Sequence, residues 1–445
     1  MKKLLIIAHD LPPIVRPQSI QIGRLLYHLP QDYHLYVVTA DAENWQKDKE
    51  FYHNIDKKFT DVIKIAYNFF LRITGQLFRK TPDIFFTWHL VAYREIMRKW
   101  GNERFDCIMT FSFPLSSNLL GIWLKRYFHI PWIAFFSDPW ADNPHLRYKS
   151  IFKLINTYLE QSVCKHADML VFASPEMHLA YKKKYPFVIN KSTFLKHSYD
   201  PGMYETIPVY SKTIHNKDNP LLSTFTKGEY EEIPDTDNHH LTYINISGVE
   251  KKKLIMRYIG AFYGERTIEP FLIALRKLLG TNASKETMLF VEVIGNIARK
   301  YTNQYARLLD RYDLGAIVKF YPPVSYRESL RLMQTADVLV LIDASIDGSV
   351  FLPSKLIDYI GSGRPIFAIT PKNSATSGVV RKVGGWIAEP NDADAMVKIL
   401  HDILDNYKNG TLQQFMPSER ISKEYSISSN MKKLVGILQG MSPDR

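Results

Sequence analysis

Short apolar segments alternate with helical patterns through the first half of the chain. The segments are rich in Ile, Val, Leu and Phe, and they read KLLIIA (3–8), HLYVVT (34–39), DCIMTFS (106–112), WIAFFS (132–137) and DMLVFAS (168–174). Apolar strands separated by helices are typical of a parallel sheet that is covered on both faces. The pattern therefore predicts a doubly wound α/β domain.

The same alternation begins again after residue 254. Its segments are LIMRYIG (254–260), MLFVEVIG (288–295), IVKFYP (317–322), VLVLID (338–343) and PIFAIT (365–370). Between the halves the chain is polar and rich in turn residues, with one strand-like stretch, LTYINIS. We therefore expect two Rossmann-like domains, over 1–204 and 254–415, joined by a linker or insert over 205–253. A helical segment over 416–445 follows, with a return to the first domain as one option.

Residues 57–104 depart from the alternation. Between 57 and 80, six basic residues accompany one acid, Asp61, and apolar residues from Ile63 to Leu77 recur at helical spacing. This pattern predicts a basic amphipathic helix. Docking on an anionic membrane surface is one interpretation, and a core-facing helix with a solvated basic side is the other.

Charge and cysteine content narrow the class of protein. The 445-residue chain has a formal charge of +12, which favours an anionic partner. Its two cysteines show no CxxC spacing, so we expect neither disulfides nor a zinc cluster, in keeping with a reducing cytoplasm. No stretch is long and apolar enough for a membrane span. The opening apolar run stops at His9 and Asp10, too short for an export signal, and is interpreted as the first buried strand.

The stretch FLPSKLIDYIGSGRPI (351–366) carries the clearest chemistry. Pro353 suits the first turn of a helix, and Gly361 or Gly363 can end it in a left-handed conformation. The N-terminus of a helix that follows a parallel strand attracts phosphate, and Lys355 adds a full positive charge there. Asp358 lies one turn further on and can accept hydrogen bonds from ribose hydroxyls. An ordinary ion pair between Lys355 and Asp358 is the alternative.

This stretch resembles the donor site of the family 4 glycosyltransferases of the GT-B fold, especially the bacterial members that build surface polysaccharides. The resemblance implies two Rossmann-like domains facing a central cleft. It places the ribose of a nucleotide sugar at Asp358 and the donor diphosphate at Arg266, within YIGAFYGERTIEPFLIAL (258–275). The other donor-side residues that it implies are Gly260, Ser325, Val350, Phe351, Ser354 and Lys355.

Further stretches extend the resemblance into the first domain. FSFPLSSNLLGIWLKRYFHIPWIAFFSDPW (111–140) is similar to the segment that lines the acceptor side, and DLPPIVRPQSIQIGRLLYHL (10–29) resembles the first loop and helix. On this basis Pro13, Ser19 and Ser112 are acceptor-side candidates. Asp138 and Ser137 are the catalytic candidates, with Asp138 positioning hydroxyls or taking a proton. A loop Asp that caps the following turn is the alternative for Asp138.

The chain also departs from the family pattern. Many members carry two glutamates eight positions apart, and here Val350 stands in the place of the first, with Asp343 and Asp347 as possible substitutes. Ala261 replaces a second cation, and Ser137 stands where many members have a histidine. These departures concern contacts to the donor sugar more than the fold.

The resemblance implies a glycosyltransferase that moves a sugar from a nucleotide sugar to a lipid-linked or polysaccharide acceptor. It implies retention of anomeric configuration and no cofactor or metal ion, since cations and a helix N-terminus can neutralise the leaving diphosphate. The enzyme is expected in the cytoplasm, with the inner face of the membrane as one location. A catalytically silent binding or scaffold protein of the same fold and a nucleotide-sugar epimerase are the alternatives.

Sequence motifs that would indicate a different function have little support in this chain. Asp235 and Asp237 form an Asp-x-Asp pair without a preceding hydrophobic strand, so a solvated loop is the better interpretation than a metal site. Neither a dinucleotide-binding glycine motif nor a P-loop is found. The absence of a compact recognition module argues against nucleic acid as a partner.

Overall fold

A computed structural model describes residues 1–41, 48, 52, 54–143, 146, 148–205, 253–262, 265–280, 288–297 and 299–441. The chain divides into two compact units. The first unit comprises Met1–Pro201, Val350–Gly361 and Ser422–Arg445, and the second comprises Gly202–Ser349 and Ser362–Ile421. The first unit therefore contains, besides the expected N-terminal region, the motif around Asp358 and the last helix of the chain. Most of the expected linker, with LTYINIS, Asp235 and Asp237, lies outside the described residues.

Seven parallel strands form the sheet of the first unit, in the order β3-β2-β1-β4-β5-β6-β7. They are β1 Lys2–Ile7, β2 Tyr33–Ala40, β3 Phe59–Ile65, β4 Cys107–Ser112, β5 Trp132–Phe136, β6 Met169–Phe172 and β7 Ser192–Phe194. Every residue of β4 and β5 is buried, as expected of strands that have helices on both faces of the sheet.

Six parallel strands form the sheet of the second unit, in the order β10-β9-β8-β11-β12-β13. They are β8 Leu254–Ile259, β9 Leu289–Ile294, β10 Val318–Tyr321, β11 Val338–Ile342, β12 Ile366–Ile369 and β13 Trp386–Ala388. In each sheet the chain first builds strands outward on one side of its first strand, β1 or β8, and then continues on the other side. This is the doubly wound arrangement predicted from the alternating pattern.

The helices connect these strands. They are α1 Pro17–His28, α2 Phe69–Gln76, α3 Phe86–Trp100, α4 Ser116–Phe128, α5 Ser150–His166, α6 Pro175–Lys184, α7 Gly202–Glu205, α8 Glu269–Leu279, α9 Arg299–Arg311, α10 Tyr326–Gln334, α11 Ser354–Ser362, α12 Ala375–Val383, α13 Ala393–Lys408, α14 Glu419–Lys423 and α15 Ile427–Gly440. Short 3₁₀ turns cover Ile55–Lys58, Pro186–Lys191 and Leu412–Phe415.

The predicted amphipathic helix between 57 and 80 is wrong in its first half. Residues 59–65 form strand β3, which pairs with β2, and only α2 is helical. The apolar positions in this stretch satisfy both periods, because Ile63, Ile65 and Tyr67 also alternate with exposed Lys64 and Ala66. The side chain of Asn68 accepts a hydrogen bond from the Leu71 amide at 3.0 Å and so caps the N-terminus of α2.

Both cysteines, Cys107 and Cys164, are buried and free, as the spacing predicted. None of the described helices is long and apolar enough to cross a membrane.

Candidate functional site

The carboxyl ends of β1, β4 and β5 meet at one edge of the first sheet, because these three strands are neighbours and parallel. The predicted catalytic and acceptor-side residues follow them closely. Ser112 is the last residue of β4, and Ser137 and Asp138 come directly after β5. Ser19 lies in the first turn of α1, and Pro13 lies in the loop before it. The sequence therefore predicted which loops gather at this edge.

The surroundings of Asp138 favour the protonated form of its carboxyl. Burial raises the pKa of its carboxyl above the ordinary value, and the hydrogen bond from Ser137 Oγ, at 3.1 Å, acts in the opposite direction. A carboxylate whose pKa is raised in this way suits general acid–base work.

A network behind Asp138 fixes the loop that carries it. Glu160 on α5 is buried and accepts hydrogen bonds from the Ala141 amide at 2.9 Å and from the hydroxyls of Tyr181 and Tyr185 at 2.7 and 2.8 Å. Trp140 is held to the same helix, since its Nε1 donates to Asn156 Oδ1 at 2.9 Å. The loop after β5 is therefore anchored to α5 at two consecutive residues.

Two predicted acceptor-side hydroxyls are buried without a partner. Ser19 Oγ and Ser112 Oγ have no hydrogen-bond partner among the described residues. The backbone of the same region is engaged, since Gln18 Nε2 donates to the Ser112 carbonyl. Both side chains are almost fully buried, so a contact between these hydroxyls and an acceptor stays a prediction.

Sequence reasoning missed a charged cluster at the end of β1. Asp10 accepts hydrogen bonds from His9 Nδ1 at 2.6 Å and from Arg16 Nη1 at 2.9 Å. Burial acts to raise the pKa of Asp10, but these two donors outweigh it and hold the pKa below its ordinary value. The signal was present, because His9 and Asp10 are the first polar residues after an apolar strand, where ligands of such sheets bind.

The motif helix α11 is built as predicted. It begins at Ser354, directly after Pro353, and Gly363 follows it with a φ of 70°, the left-handed conformation that glycine adopts without strain. Phe351, shortly before the helix, and Ser354 and Lys355 in its first turn are partly exposed.

Asp358 is buried against a cation that the sequence did not indicate. Arg24 Nη2 of α1 donates to Asp358 Oδ1 at 2.7 Å, and Arg24 Nη1 donates to the Ser198 carbonyl. Burial raises the pKa of Asp358 to about 6, although the charge and hydrogen bond of Arg24 act to lower it. An arginine within an amphipathic helix usually faces solvent, so no sequence pattern marked Arg24 as the partner.

Val350, at the position of the missing first acid, packs against the core of the first unit. Its carbonyl accepts a hydrogen bond from Ser174 Oγ at 3.1 Å. An apolar side chain here cannot accept hydrogen bonds from sugar hydroxyls.

Within the second unit, the predicted diphosphate cation lies at the carboxyl edge of the sheet. Arg266 Nη2 is 3.8 Å from Asp343 Oδ1, directly after β11, and both side chains are largely buried. Thr370 donates to the other oxygen of Asp343 at 3.0 Å. Of the two acids that could replace the first glutamate, Asp343 therefore belongs to this network, whereas Asp347 is exposed.

A glycine turn brings the backbone close at the same edge. Gly260, after β8, has a φ of 144°, and a Cβ on Gly295, after β9, would lie 2.2 Å from the Gly260 carbonyl oxygen. No side chain fits at position 295, so the two loops pack backbone to backbone.

Ser325, another predicted donor-side residue, caps α10 by accepting a hydrogen bond from the Glu328 amide at 3.2 Å. Gly264, whose place shortly before Arg266 in the sequence would allow a phosphate to approach closely, lies outside the described residues.

No cluster of three or more His, Cys, Asp or Glu side chains suited to a metal ion occurs within the described part of the chain. The expectation of metal-independent chemistry stays a prediction.

Comparison with known proteins places this geometry in context. Residues 241–417 match the family described as "Glycosyl transferases group 1". No curated protein sequence gives a significant match to the chain.

Solved structures show the fold. Sucrose-phosphate synthase from Thermosynechococcus elongatus is similar with a TM-score of 0.65 at 13% identity, over 99% of each chain. Alr3699/HepE of Anabaena, in complex with UDP and glucose, is similar with a TM-score of 0.63 at 12% identity, over 99% of this chain and 100% of that one. A glycosyltransferase from Rickettsia africae gives 0.64 at 13%, over 99% and 98%.

The two parallel sheets and these likenesses identify the fold as GT-B, as the sequence predicted. The family match covers most of the second unit, which holds the Arg266 network. The family match covers less than half of the chain, and the structural likenesses show the fold.

Proposed function

We propose that the protein transfers a sugar from a nucleotide-sugar donor to a lipid-linked or polysaccharide acceptor, as a family 4 enzyme of cell-surface glycan synthesis. The observation that carries the proposal is the largely buried Arg266 at the sheet edge where the Gly260 turn also lies, within the region that matches group 1 glycosyl transferases. A buried guanidinium next to closely approaching backbone suits a diphosphate. The solved structures of HepE contain UDP and UDP-glucose, which makes these the first donors to test.

In the proposed mechanism, cations neutralise the leaving diphosphate. Arg266 supplies positive charge as the bond between sugar and phosphate breaks. No metal ion is required for this role. The acceptor hydroxyl attacks from the face of the departing diphosphate, which retains the anomeric configuration, and Asp138 orients that hydroxyl or takes its proton. In this scheme the carboxylate of Asp358 accepts a hydrogen bond from a ribose hydroxyl as well as from Arg24.

A thermal-shift screen of nucleoside diphosphates and nucleotide sugars, with chelator present, tests donor binding. We expect one nucleotide series to raise the melting temperature, and Arg266→Ala to lose that shift. Lys398→Ala, an exposed change on α13 of the same unit, is the matched control and should keep it. Stabilisation that appears only with a divalent metal, or that survives Arg266→Ala unchanged, contradicts the assignment.

Turnover separates the enzyme from its alternatives. Asp138→Asn should keep the nucleotide-induced shift while donor hydrolysis and transfer fall about 100-fold or more, since acid–base catalysis contributes about 10²–10⁴. The packing of Val350 favours a catalytically silent binding protein as the second candidate. Nucleotide binding with no turnover in the wild type would establish that candidate. Interconversion of the nucleotide sugar without transfer would indicate an epimerase.

A further inference from the structure

Two helices of the first unit present apolar stripes to solvent. The exposed apolar side chains on α2 are Phe69, Phe70 and Ile73, with exposed fractions of 77%, 70% and 56%, and Leu77 directly after the helix is 83% exposed. At 3.6 residues per turn they fall within about 100° of the helix circumference. Leu71 and Gly75 form the buried side.

In helix α5 the usual arrangement is reversed, with apolar residues exposed to solvent and polar residues buried. Ile151, Leu154, Ile155 and Tyr158 are 59%, 67%, 39% and 70% exposed, at the i, i+3, i+4, i+7 spacing that normally faces a core. Its polar residues Asn156 and Glu160 are instead buried, and each is hydrogen-bonded. The inward face is thus specified by a polar network. The outward apolar stripe requires a separate explanation, because soluble surfaces rarely expose contiguous apolar patches of this kind.

The segments that carry the two stripes contact each other through residues outside the stripes. The chain leaving α2 lies on α5, since Asn156 Nδ2 donates to the Lys80 carbonyl at 2.9 Å and contacts Thr81 Oγ1 at 3.2 Å. The ammonium of Lys80 also lies 5.2 Å from the centre of the Phe152 ring. We call the eight exposed residues the apolar ridge: Phe69, Phe70, Ile73, Leu77, Ile151, Leu154, Ile155 and Tyr158.

The charges of the residues around the apolar ridge indicate what kind of partner it can bind. The segments 66–82 and 142–160 contain six Lys and Arg residues, Arg72, Arg79, Lys80, Arg147, Lys149 and Lys153, and two acids. The exposed Asp142 pairs with Lys153 at 3.0 Å, and Glu160 is buried, so the basic residues stay in excess. A second copy docked on the same surface by twofold symmetry would bring like charges together, which disfavours a dimer. Apolar and aromatic side chains among lysines and arginines match the boundary between headgroups and acyl chains of an anionic bilayer.

We propose that the apolar ridge inserts into the surface of an anionic phospholipid bilayer. This inference stands apart from the proposed sugar transfer, because it concerns a surface that needs no donor or acceptor. It extends the membrane expectation drawn from residues 57–104, which already includes the α2 half of the ridge. Half of the ridge lies on α5, and Lys64 on β3 pairs with Asp56 at 2.5 Å.

Flotation with vesicles tests the proposal on the full chain, with phosphatidylcholine alone and with phosphatidylcholine containing phosphatidylglycerol. We expect the wild type to float with the anionic vesicles and less with the neutral ones. The double variant Leu154→Gln and Tyr158→Gln should lower the partition coefficient about tenfold or more, since two apolar side chains no longer insert. Arg72→Gln with Arg79→Gln and Lys153→Gln should lower it about 100-fold at low salt.

Matched controls keep the result specific. Leu90→Gln with Leu179→Gln changes two exposed apolar residues outside the ridge, and Lys64→Gln changes a basic residue outside it; both should bind as the wild type does. Circular dichroism checks the fold of each variant. Absence of flotation, equal flotation of ridge and control variants, or a dimer in analytical ultracentrifugation that the ridge variants abolish would each overturn the proposal.

Discussion

At the scale of single residues, the pairing of Arg24 with Asp358 has a measurable pH signature. The pKa of Asp358 is raised from 3.8 to about 6 in the folded protein. The folded state therefore holds this proton more tightly than the unfolded chain does between those pH values. The contribution of the carboxyl to stability is greatest below about pH 4 and is lost as the pH rises through 6.

We expect the difference in unfolding free energy between wild type and Asp358→Asn to fall by about 2–3 kcal/mol from pH 4 to pH 7. Urea denaturation at each pH measures it, and subtraction of the variant removes the contributions of other groups. Asp347→Asn, at an exposed acid on the loop before α11, should show no such trend. A flat difference for Asp358→Asn would mean that Arg24 offsets the burial of the carboxyl fully.

The residue scale is also where sequence reasoning had least power. The position of Asp358 on a short helix after an apolar strand could be predicted, because helix signals and strand patterns are local. Its partner could not, since Arg24 lies more than 300 positions away and no local pattern distinguishes a buried arginine from a solvated one. The ligand-facing role of Asp358 stays a prediction.

At the scale of elements, Glu160 tests how far the loop after β5 depends on its anchor. Glu160→Ala leaves the Ala141 amide and the hydroxyls of Tyr181 and Tyr185 without this acceptor, and it separates Lys184 from its buried partner. We expect a loss of about 3–5 kcal/mol in unfolding free energy, because the remaining groups are buried or charged. Tyr185→Phe removes one bond and should cost about 1 kcal/mol. Similar losses for the two variants, measured in urea, would contradict the anchoring role.

Prediction of elements succeeded where one period dominated. The central strands of both sheets were predicted because their continuous apolar segments fit a buried parallel strand and are too short for buried helices. Strand β3 was missed because its alternating residues also matched a helix when read together with α2. The three-residue strands β7 and β13 carry too few positions to show any period.

At the scale of the whole molecule, the first unit depends on distant parts of the chain. Helix α15 packs on α1, and the Ile427 amide donates to the Tyr199 carbonyl at 2.8 Å. Lys2 Nζ donates to the Leu438 carbonyl at 2.7 Å. Leu434 and Leu438 on the same helix are fully buried.

Removal of residues 422–445 should therefore destabilise the first unit. Loss of the buried Ile427, Leu434 and Leu438 costs about 5–9 kcal/mol, comparable with the stability of a domain. Tryptophan fluorescence in a urea titration reports on this unit, because six of the seven tryptophans precede residue 141. Leu434→Ser with Leu438→Ser should reproduce much of the loss, whereas the exposed change Lys432→Ala should not. Unchanged unfolding of the shortened chain would show that α15 is dispensable.

The return of the chain to its first unit also sets an order of events during synthesis. A ribosome that makes about 5–20 residues per second needs about 10–45 s to pass from Pro201 to Ser422. Throughout that interval the nascent first unit lacks α15, and the surface of α1 that will bury Leu434 and Leu438 is exposed to chaperones and proteases. Any chain that terminates early leaves this unit unfinished. The second unit, whose sheet ends with β13, has all its strands by then.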